Sequence, residues 1–253
     1  FTCVDNVLEN PFVLPVGDET LFLRYHHLFR DFLQNRMRLE RPEETIKIET
    51  ALAEHYQETQ EWERAISIYQ RTGDLDKVET LVRKAAPSMI LSGRTITLSE
   101  WLHSLPNDAA ETKPELMSIR GSIAILRGDT RTSIDLLNRA ISGLRKNTNF
   151  EDLAEALIRR SAVNRHFGYF ETALKDALEA LDLSKPPFGS PARYAEALRS
   201  EGLVYYNTGD FTDAQWKLRE AYRRYIDLGM ENDAAKVLME LGVAGMAKPW
   251  GIR

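Results

Sequence analysis

RGSIAILRGDTRTSIDLLNRAI (residues 120–141) decides the fold, because its pattern of small and apolar residues returns twice along the chain. RSAVNRHFGYFETALKDALEAL (160–181) and EGLVYYNTGDFTDAQWKLREAY (201–222) align with it, so the chain repeats itself about every forty residues. Small residues form four columns in this alignment: Gly121, Ser161 and Gly202; then Gly128, Gly168 and Gly209; then Ser133, Ala173 and Ala214; and last Ala140, Ala180 and Ala221.

The four columns predict two packed helices in each repeat. A small residue in the first column lets the two helices approach closely, and the glycine of the second column ends the first helix. The small residues of the third and fourth columns leave room for side chains of the neighbouring helices. Gly242 lies one period beyond Gly202, so a further repeat begins there and is cut off near Arg253. The sequence therefore predicts an all-α, tetratricopeptide-like α-solenoid over residues 41–253, truncated at its C-terminus.

Helix starts are predicted at two places by capping patterns. Ser190 precedes Pro191, a proline that fits the first position of a helix. Thr97 and Glu100 have the spacing of a capping box.

The first forty residues follow a different pattern. In FVLPVGDETLFLRYHHLFRDFL (12–33), two short apolar runs flank a polar turn at Gly17–Thr20, and apolar residues recur at helical spacing from His26 onward. This pattern predicts a β-hairpin followed by an amphipathic helix. A hairpin of this size is not stable by itself in water, and the chain opens at Phe1 with no initiator methionine. We therefore expect a fragment in which residues 1–40 are the C-terminal part of a winged-helix-like domain.

Composition favours a cytoplasmic protein without membrane contact. No apolar run approaches the length of a membrane span, and the single cysteine, Cys3, excludes an internal disulfide framework. The formal net charge is −5. Because affinity for nucleic acid depends on neutralising phosphates with Lys and Arg, we expect no direct contact between this chain and nucleic acid.

Three motifs together resemble one known family. RYHHLFRDFL (24–33), ERAISIYQRTGDLDKVETLV (63–82) and LSEWLHSLP (98–106) are similar to the MalT-like branch of the LuxR family of ATP-dependent bacterial transcriptional activators. The resemblance implies that a signal-transducing ATPase precedes the winged-helix part and that the helical array is the sensor. Neither a GxxxxGK(S/T) phosphate loop nor a helix-turn-helix motif occurs here. We therefore expect no cofactor in this fragment, with ATP as cofactor of the full-length protein only.

The concave surface of the array is the candidate binding groove, since in tetratricopeptide geometry the first helix of each pair lines it. Its residue types suit an amphipathic ligand, because a tyrosine offers an apolar face and Arg and Asn can orient a carboxylate, a peptide backbone or sugar hydroxyls. A plain solvated groove is the alternative. The candidate residues are Glu155, Arg165, His166, Glu196, Arg199, Tyr206, Asn207 and Met239, with Ser118 and Ser122 at the N-terminal end.

Metal binding and catalysis are not expected. His26 and His27 are adjacent and point about 100° apart on a helix, so one metal ion cannot use both from that element. Arg159 and Arg160 have acidic neighbours and are interpreted as a solvated helix face. No nucleophile and base stand at a recognisable spacing, so the chain is not expected to be an enzyme.

Two functions therefore remain open. In the first, the chain is the sensor of a MalT-like regulator, which binds a small-molecule inducer or a peptide or protein partner and controls self-association of the full-length protein. In the second, it is a stand-alone tetratricopeptide adaptor for protein–protein interaction.

Overall fold

A computed structural model describes residues 12–16, 22–106, 109–187 and 189–246. The chain divides into two compact units, Phe1–Leu81 and Val82–Arg253, and the division falls inside a helix. No helix in these ranges has both the length and the apolar character needed to cross a membrane.

The first unit contains the predicted hairpin. Its two strands pair in antiparallel fashion with Val13 opposite Tyr25, which confirms the hairpin, while its predicted turn at residues 17–20 lies outside the described residues. The ring of Phe12 stacks on Phe29, with 4.7 Å between the ring centroids. The elements are β1 (Val13–Val16), β2 (Phe22–Tyr25), α1 (His27–Glu40), α2 (Pro42–Glu58) and α3 (Trp62–Thr72).

Ile66 and Tyr69 of α3 are both buried, and α3 packs against α2. Glu49 of α2 accepts hydrogen bonds from Arg38 of α1 at 3.1 Å and from Arg71 of α3 at 2.9 Å. One carboxylate therefore ties three successive helices together.

The second unit is the repeat array, and α4 runs into it from the first unit. The helices are α4 (Leu75–Leu91), α5 (Thr95–His103), α6 (Ala109–Thr112), α7 (Pro114–Leu126), α8 (Thr130–Lys146), α9 (Phe150–His166), α10 (Phe170–Leu183), α11 (Pro191–Thr208), α12 (Phe211–Asp227) and α13 (Glu231–Met246). Neighbouring helices pack in chain order from α7 to α13, and α9 also contacts α7 and α11. This arrangement confirms the tetratricopeptide-like α-solenoid.

The first column of small residues is where the two helices of a repeat approach most closely. A Cβ atom added to Gly121 would lie 2.8 Å from Cγ of Leu137, so no larger residue fits there without displacing that leucine. In the second repeat, Ser161 takes this place and its Oγ donates to the carbonyl oxygen of Ala173 at 2.8 Å. All six residues of the third and fourth columns are fully buried: Ser133, Ala173, Ala214, Ala140, Ala180 and Ala221.

The predicted helix ends agree with the structure except at α5. Gly209 has φ of +90° and ends α11, as the second column predicts. Ser190 caps α11 by accepting a hydrogen bond from the backbone N–H of Arg193 at 3.4 Å. The predicted capping box of Thr97 and Glu100 is wrong. A turn at Gly93 and Arg94 ends α4, so α5 already begins at Thr95 and both residues lie inside it.

Candidate functional site

The first helices of the repeats form one layer of the second unit, here called the groove layer (α7, α9, α11 and α13). The second helices form the other, here called the outer layer (α8, α10 and α12). Together with the C-terminal part of α4, the groove layer lines a cavity of about 480 Å³, with one side chain, Tyr225, contributed by the outer layer. This groove cavity lies where the tetratricopeptide geometry predicts the binding surface.

Glu155 is the centre of the charge network in the groove cavity. It pairs with Arg159 on its own helix and with Arg193 of α11, whose Nη2 lies 2.8 Å from a Glu155 carboxylate oxygen. Arg159 also donates to Oγ of the buried Ser118 on α7 at 2.7 Å. Arg193 pairs further with Glu196 on its own helix. The network therefore connects three successive helices of the groove layer.

The electrostatics of this network keep its groups charged. Burial by itself would raise the pKa of Glu155, but the guanidinium groups of Arg159, Arg193 and Arg83 outweigh it and lower that pKa below its ordinary value. Burial by itself would lower the pKa of Arg193, but the carboxylates of Glu196 and Glu155 outweigh it and raise that pKa above its ordinary value. The network is thus a set of half-buried, mutually neutralising charges.

A second cluster follows towards α13. Arg199 binds both carboxylate oxygens of Glu240, with its Nε 2.9 Å from Oε2 and its Nη2 2.5 Å from Oε1. Arg165 donates to Oδ1 of Asn207 at 3.1 Å, which is a neutral partner. Burial and the nearby positive charge of Arg199 lower the pKa of Arg165, while Glu240 opposes them. Two guanidinium groups thus lie near the Glu240 carboxylate, and Glu196 also acts on Arg199.

The structure brings some of the predicted site residues together and separates others. Glu155, Glu196 and Arg199 line the groove cavity. Arg165 and Asn207 are bonded to each other and do not line it.

The remaining predicted residues lie away from the cavity. Tyr206 packs edge-on against Phe211, 5.7 Å between ring centroids, and His166 is exposed beside Phe167. Met239 is 69% exposed. The role of all eight predicted residues, those in the cavity and those away from it, as a ligand site stays a prediction.

Several cavity residues were missed in the sequence. Arg159 was interpreted as part of a solvated face, but its guanidinium lies in the groove network, and its spacing of four from Glu155 was the signal. Arg160, the other arginine of that predicted face, does not line the cavity, but its guanidinium binds both oxygens of the buried Asp176 and is not a solvated group either. Also missed were Pro87, Ile90 and Leu91 of α4, since the periodicity there is too weak to give a register.

No metal centre is available in the described ranges, where no three His, Cys, Asp or Glu side chains converge. The polar groups that line the groove cavity are instead carboxylates, guanidinium groups, an ammonium group and hydroxyls. Such groups bind a ligand by hydrogen bonds and charge.

Comparison with protein families identifies the N-terminal segment. Residues 7–45 match the MalT winged helix domain. Comparison with curated proteins gives no match.

Solved structures resemble the helical array. A signal transduction ATPase with numerous domains, with a tetratricopeptide repeat sensor, from Pyrococcus horikoshii aligns with a TM-score of 0.58 at 13% identity, over 88% of this chain and 36% of that chain. The MamA protein aligns with a TM-score of 0.46 at 20% identity, over 74% of this chain and 95% of that one. YrrB, a tetratricopeptide repeat protein with an unusual peptide-binding site, aligns with a TM-score of 0.42 at 18% identity, over 74% and 90%.

The family match and the fold agree with each other. A segment that matches the MalT winged helix domain is followed in the same chain by a tetratricopeptide-like array.

Proposed function

We propose that this chain is the sensor-bearing part of a MalT-like bacterial transcriptional regulator of the LuxR family, and that its groove cavity binds the regulatory ligand. One observation carries the proposal: the match to the MalT winged helix domain at residues 7–45 is followed by an array whose groove layer encloses a charged cavity. In this proposal the ATPase and the DNA reader belong to other parts of a cytoplasmic full-length protein. This chain then has no catalytic role.

The cavity has the size and the chemistry of a ligand site. Its volume of about 480 Å³ lies within the range of about 300 to 1,000 Å³ typical of small-molecule sites. Its α4 wall is apolar, with Ile90 and Leu91, while α11 contributes the guanidinium group of Arg199. An elongated ligand with an apolar part and an anionic end, either a small inducer or a peptide, fits this combination of an apolar wall and a guanidinium group.

The groove pairs give such a ligand a route to regulation. Arg193 with Glu155 and Arg199 with Glu240 each join helices of successive repeats. An anionic ligand that takes over Arg199 competes with Glu240 and so changes the contact between α11 and α13. To act as an inducer it must bind the self-associated, active state more tightly than the resting state, since equal affinity for both shifts no equilibrium.

Sequencing the coding DNA on both sides of this chain tests the regulator part of the proposal. We expect a phosphate-loop ATPase upstream and a helix-turn-helix domain downstream. Stop codons or unrelated neighbours on both sides would overturn it and leave a stand-alone tetratricopeptide adaptor.

A thermal-shift screen of the purified chain tests the groove separately. The probes are a metabolite library and a set of peptides with free C-terminal carboxylates, applied to the parent, to Arg199→Gln and to Arg145→Gln. Arg145 is the matched control, because it joins successive repeats by pairing with Glu179 on the outer layer. We expect compounds that stabilise the parent and Arg145→Gln but not Arg199→Gln; compounds that stabilise all three equally would place the site outside the groove.

A further inference from the structure

A second cavity of the array shares no lining residue with the groove cavity. It has a volume of about 340 Å³ and is formed by α5, α6, α7 and the start of α8, so we call it the α5–α8 pocket. Its floor is apolar and consists of four buried side chains, Leu102, Leu105, Ile123 and Leu136. The floor can therefore hold an aliphatic chain out of water.

The acidic groups on the rim of this pocket are already engaged within the protein. Glu111 faces Arg120, with 3.4 Å between Oε1 and Nη1. Asp129 is the N-cap of α8 and accepts a hydrogen bond from the backbone N–H of Thr132 at 3.1 Å. Hydrogen bonds from Thr132 also lower the pKa of Asp129, so its charge stays committed to the helix end.

Two further basic groups on the rim, Arg127 and His103, are engaged differently. Nη2 of Arg127 donates to the neutral Oγ of Ser99 at 2.9 Å, and in the part of the chain that the structure describes this guanidinium forms no ion pair with a carboxylate. Nδ1 of His103 lies 2.6 Å from the carbonyl oxygen of the same Ser99 and must donate to it, since a carbonyl only accepts. Arg127 and His103 therefore converge on one residue at the pocket rim, and Arg127 keeps free donors there.

We infer that the α5–α8 pocket binds a small aliphatic carboxylate, with the carboxylate on Arg127 beside Ser99 and the alkyl chain over the leucine and isoleucine floor. The free donors of the guanidinium supply charge-assisted hydrogen bonds to the carboxylate. Burial of the chain on the floor supplies the apolar part of the affinity. The site is independent of the groove proposed above, so either proposal can fail without the other.

Calorimetric titration of the chain with sodium octanoate, below its micelle concentration, tests this site. We expect saturable binding of one octanoate per chain, weakened about tenfold or more in Arg127→Gln, because a hydrogen bond from a charged group is lost. Arg223→Gln removes the same charge from an exposed position on α12 and should bind octanoate like the parent. Glu155→Gln in the groove should also leave the titration unchanged.

Two further probes separate a specific site from unspecific apolar binding. Octylammonium carries the same chain with the opposite charge, and we expect no saturable binding of it. Ala124→Phe adds a ring at a half-buried position that lines the pocket, and it should abolish octanoate binding while circular dichroism shows an intact helical fold. Absence of saturable octanoate binding to the parent, or equal binding by Arg127→Gln and by the folded Ala124→Phe variant, would overturn the inference.

Discussion

Both layers of the array join successive repeats through an arginine and a glutamate, but the two layers place these pairs in different surroundings. On the groove layer, Arg193 reaches Glu155, and each side chain is 18% exposed. On the outer layer, Arg145 reaches Glu179, with exposures of 49% and 31%. The covalent spacing of the two pairs is alike, whereas the water around them is not. The repeat period therefore determines which residues can form an ion pair, while burial determines how much free energy that pair contributes to stability.

Removal of the carboxylate from each pair gives the largest expected difference. Glu155→Ala leaves Arg159 and Arg193 facing each other in a half-buried site, and we expect a loss of about 3 kcal/mol in the free energy of unfolding. Glu179→Ala exposes Arg145 to water and should cost only about 0.5 kcal/mol. Urea denaturation of both variants measures the difference. Equal losses would show that the groove pair is as solvated as the outer one.

The next largest effect is expected where the groove layer and the outer layer touch at the small residues of the third column, a contact here called the seam. Ala173 and Ala214 are fully buried, so Ala173→Leu and Ala214→Leu should each cost about 2 kcal/mol by overpacking. Ala162→Leu on α9 makes the same change at an exposed position and is the control. Thermal melting of all three variants checks the result. If both seam variants melted with the parent, the register of the repeat columns would be wrong.

The seam was predictable from sequence and the groove chemistry was not, for a physical reason. Close packing allows only a small residue where two helices touch. The residue types of Gly121 and Ala214 were therefore enough to predict their positions at the helix contacts. Arginine and glutamate are long and flexible, so the sequence places Arg193 on a helix face without indicating that it reaches Glu155. The apolar wall from α4 was hidden as well, because Ile90 belongs to a segment with weak periodicity.

Hairpin and helix-pair prediction succeeded for a related reason. The hairpin follows from two apolar runs around a polar turn, and its strands pair where those runs occur. Both cavities, in contrast, arise from side chains of helices distant in sequence, such as Leu102 of α5 and Leu136 of α8. A periodic pattern within one helix does not indicate the cavity that several helices leave between them.

The pH dependence of stability tests the electrostatic environment of Glu155. Because the pKa of Glu155 is lowered in the folded chain, its contribution is fully present above the unfolded value of about 4.5 and is lost as the pH falls through the lower folded value. The stability difference between the parent and Glu155→Gln should therefore shrink as the pH falls below about 4.5 and through the lower folded value. Denaturation at several pH values measures it.

The control for the pH series is Glu171→Gln, at an exposed position on α10. Its difference from the parent at each pH is the baseline against which the change for Glu155→Gln is measured. A constant difference for Glu155→Gln over this range would contradict the lowered pKa.

Salt should separate the two layers by the smallest effect. At an ionic strength of about 1 M the screening length falls to about 3 Å, which weakens interactions between solvent-exposed charges most. The coupling energy of Arg145 with Glu179, measured by a double-mutant cycle, should therefore fall towards zero between 0.1 and about 1 M sodium chloride. The coupling of Arg193 with Glu155 should keep most of its value, because water and ions reach these side chains less. Sulfate, an anion that guanidinium groups bind, must be avoided, since it would compete with Glu155 directly and imitate screening. If sodium chloride weakened both couplings in the same proportion, burial would not distinguish the layers, and the groove charges would have to be regarded as ordinary surface pairs.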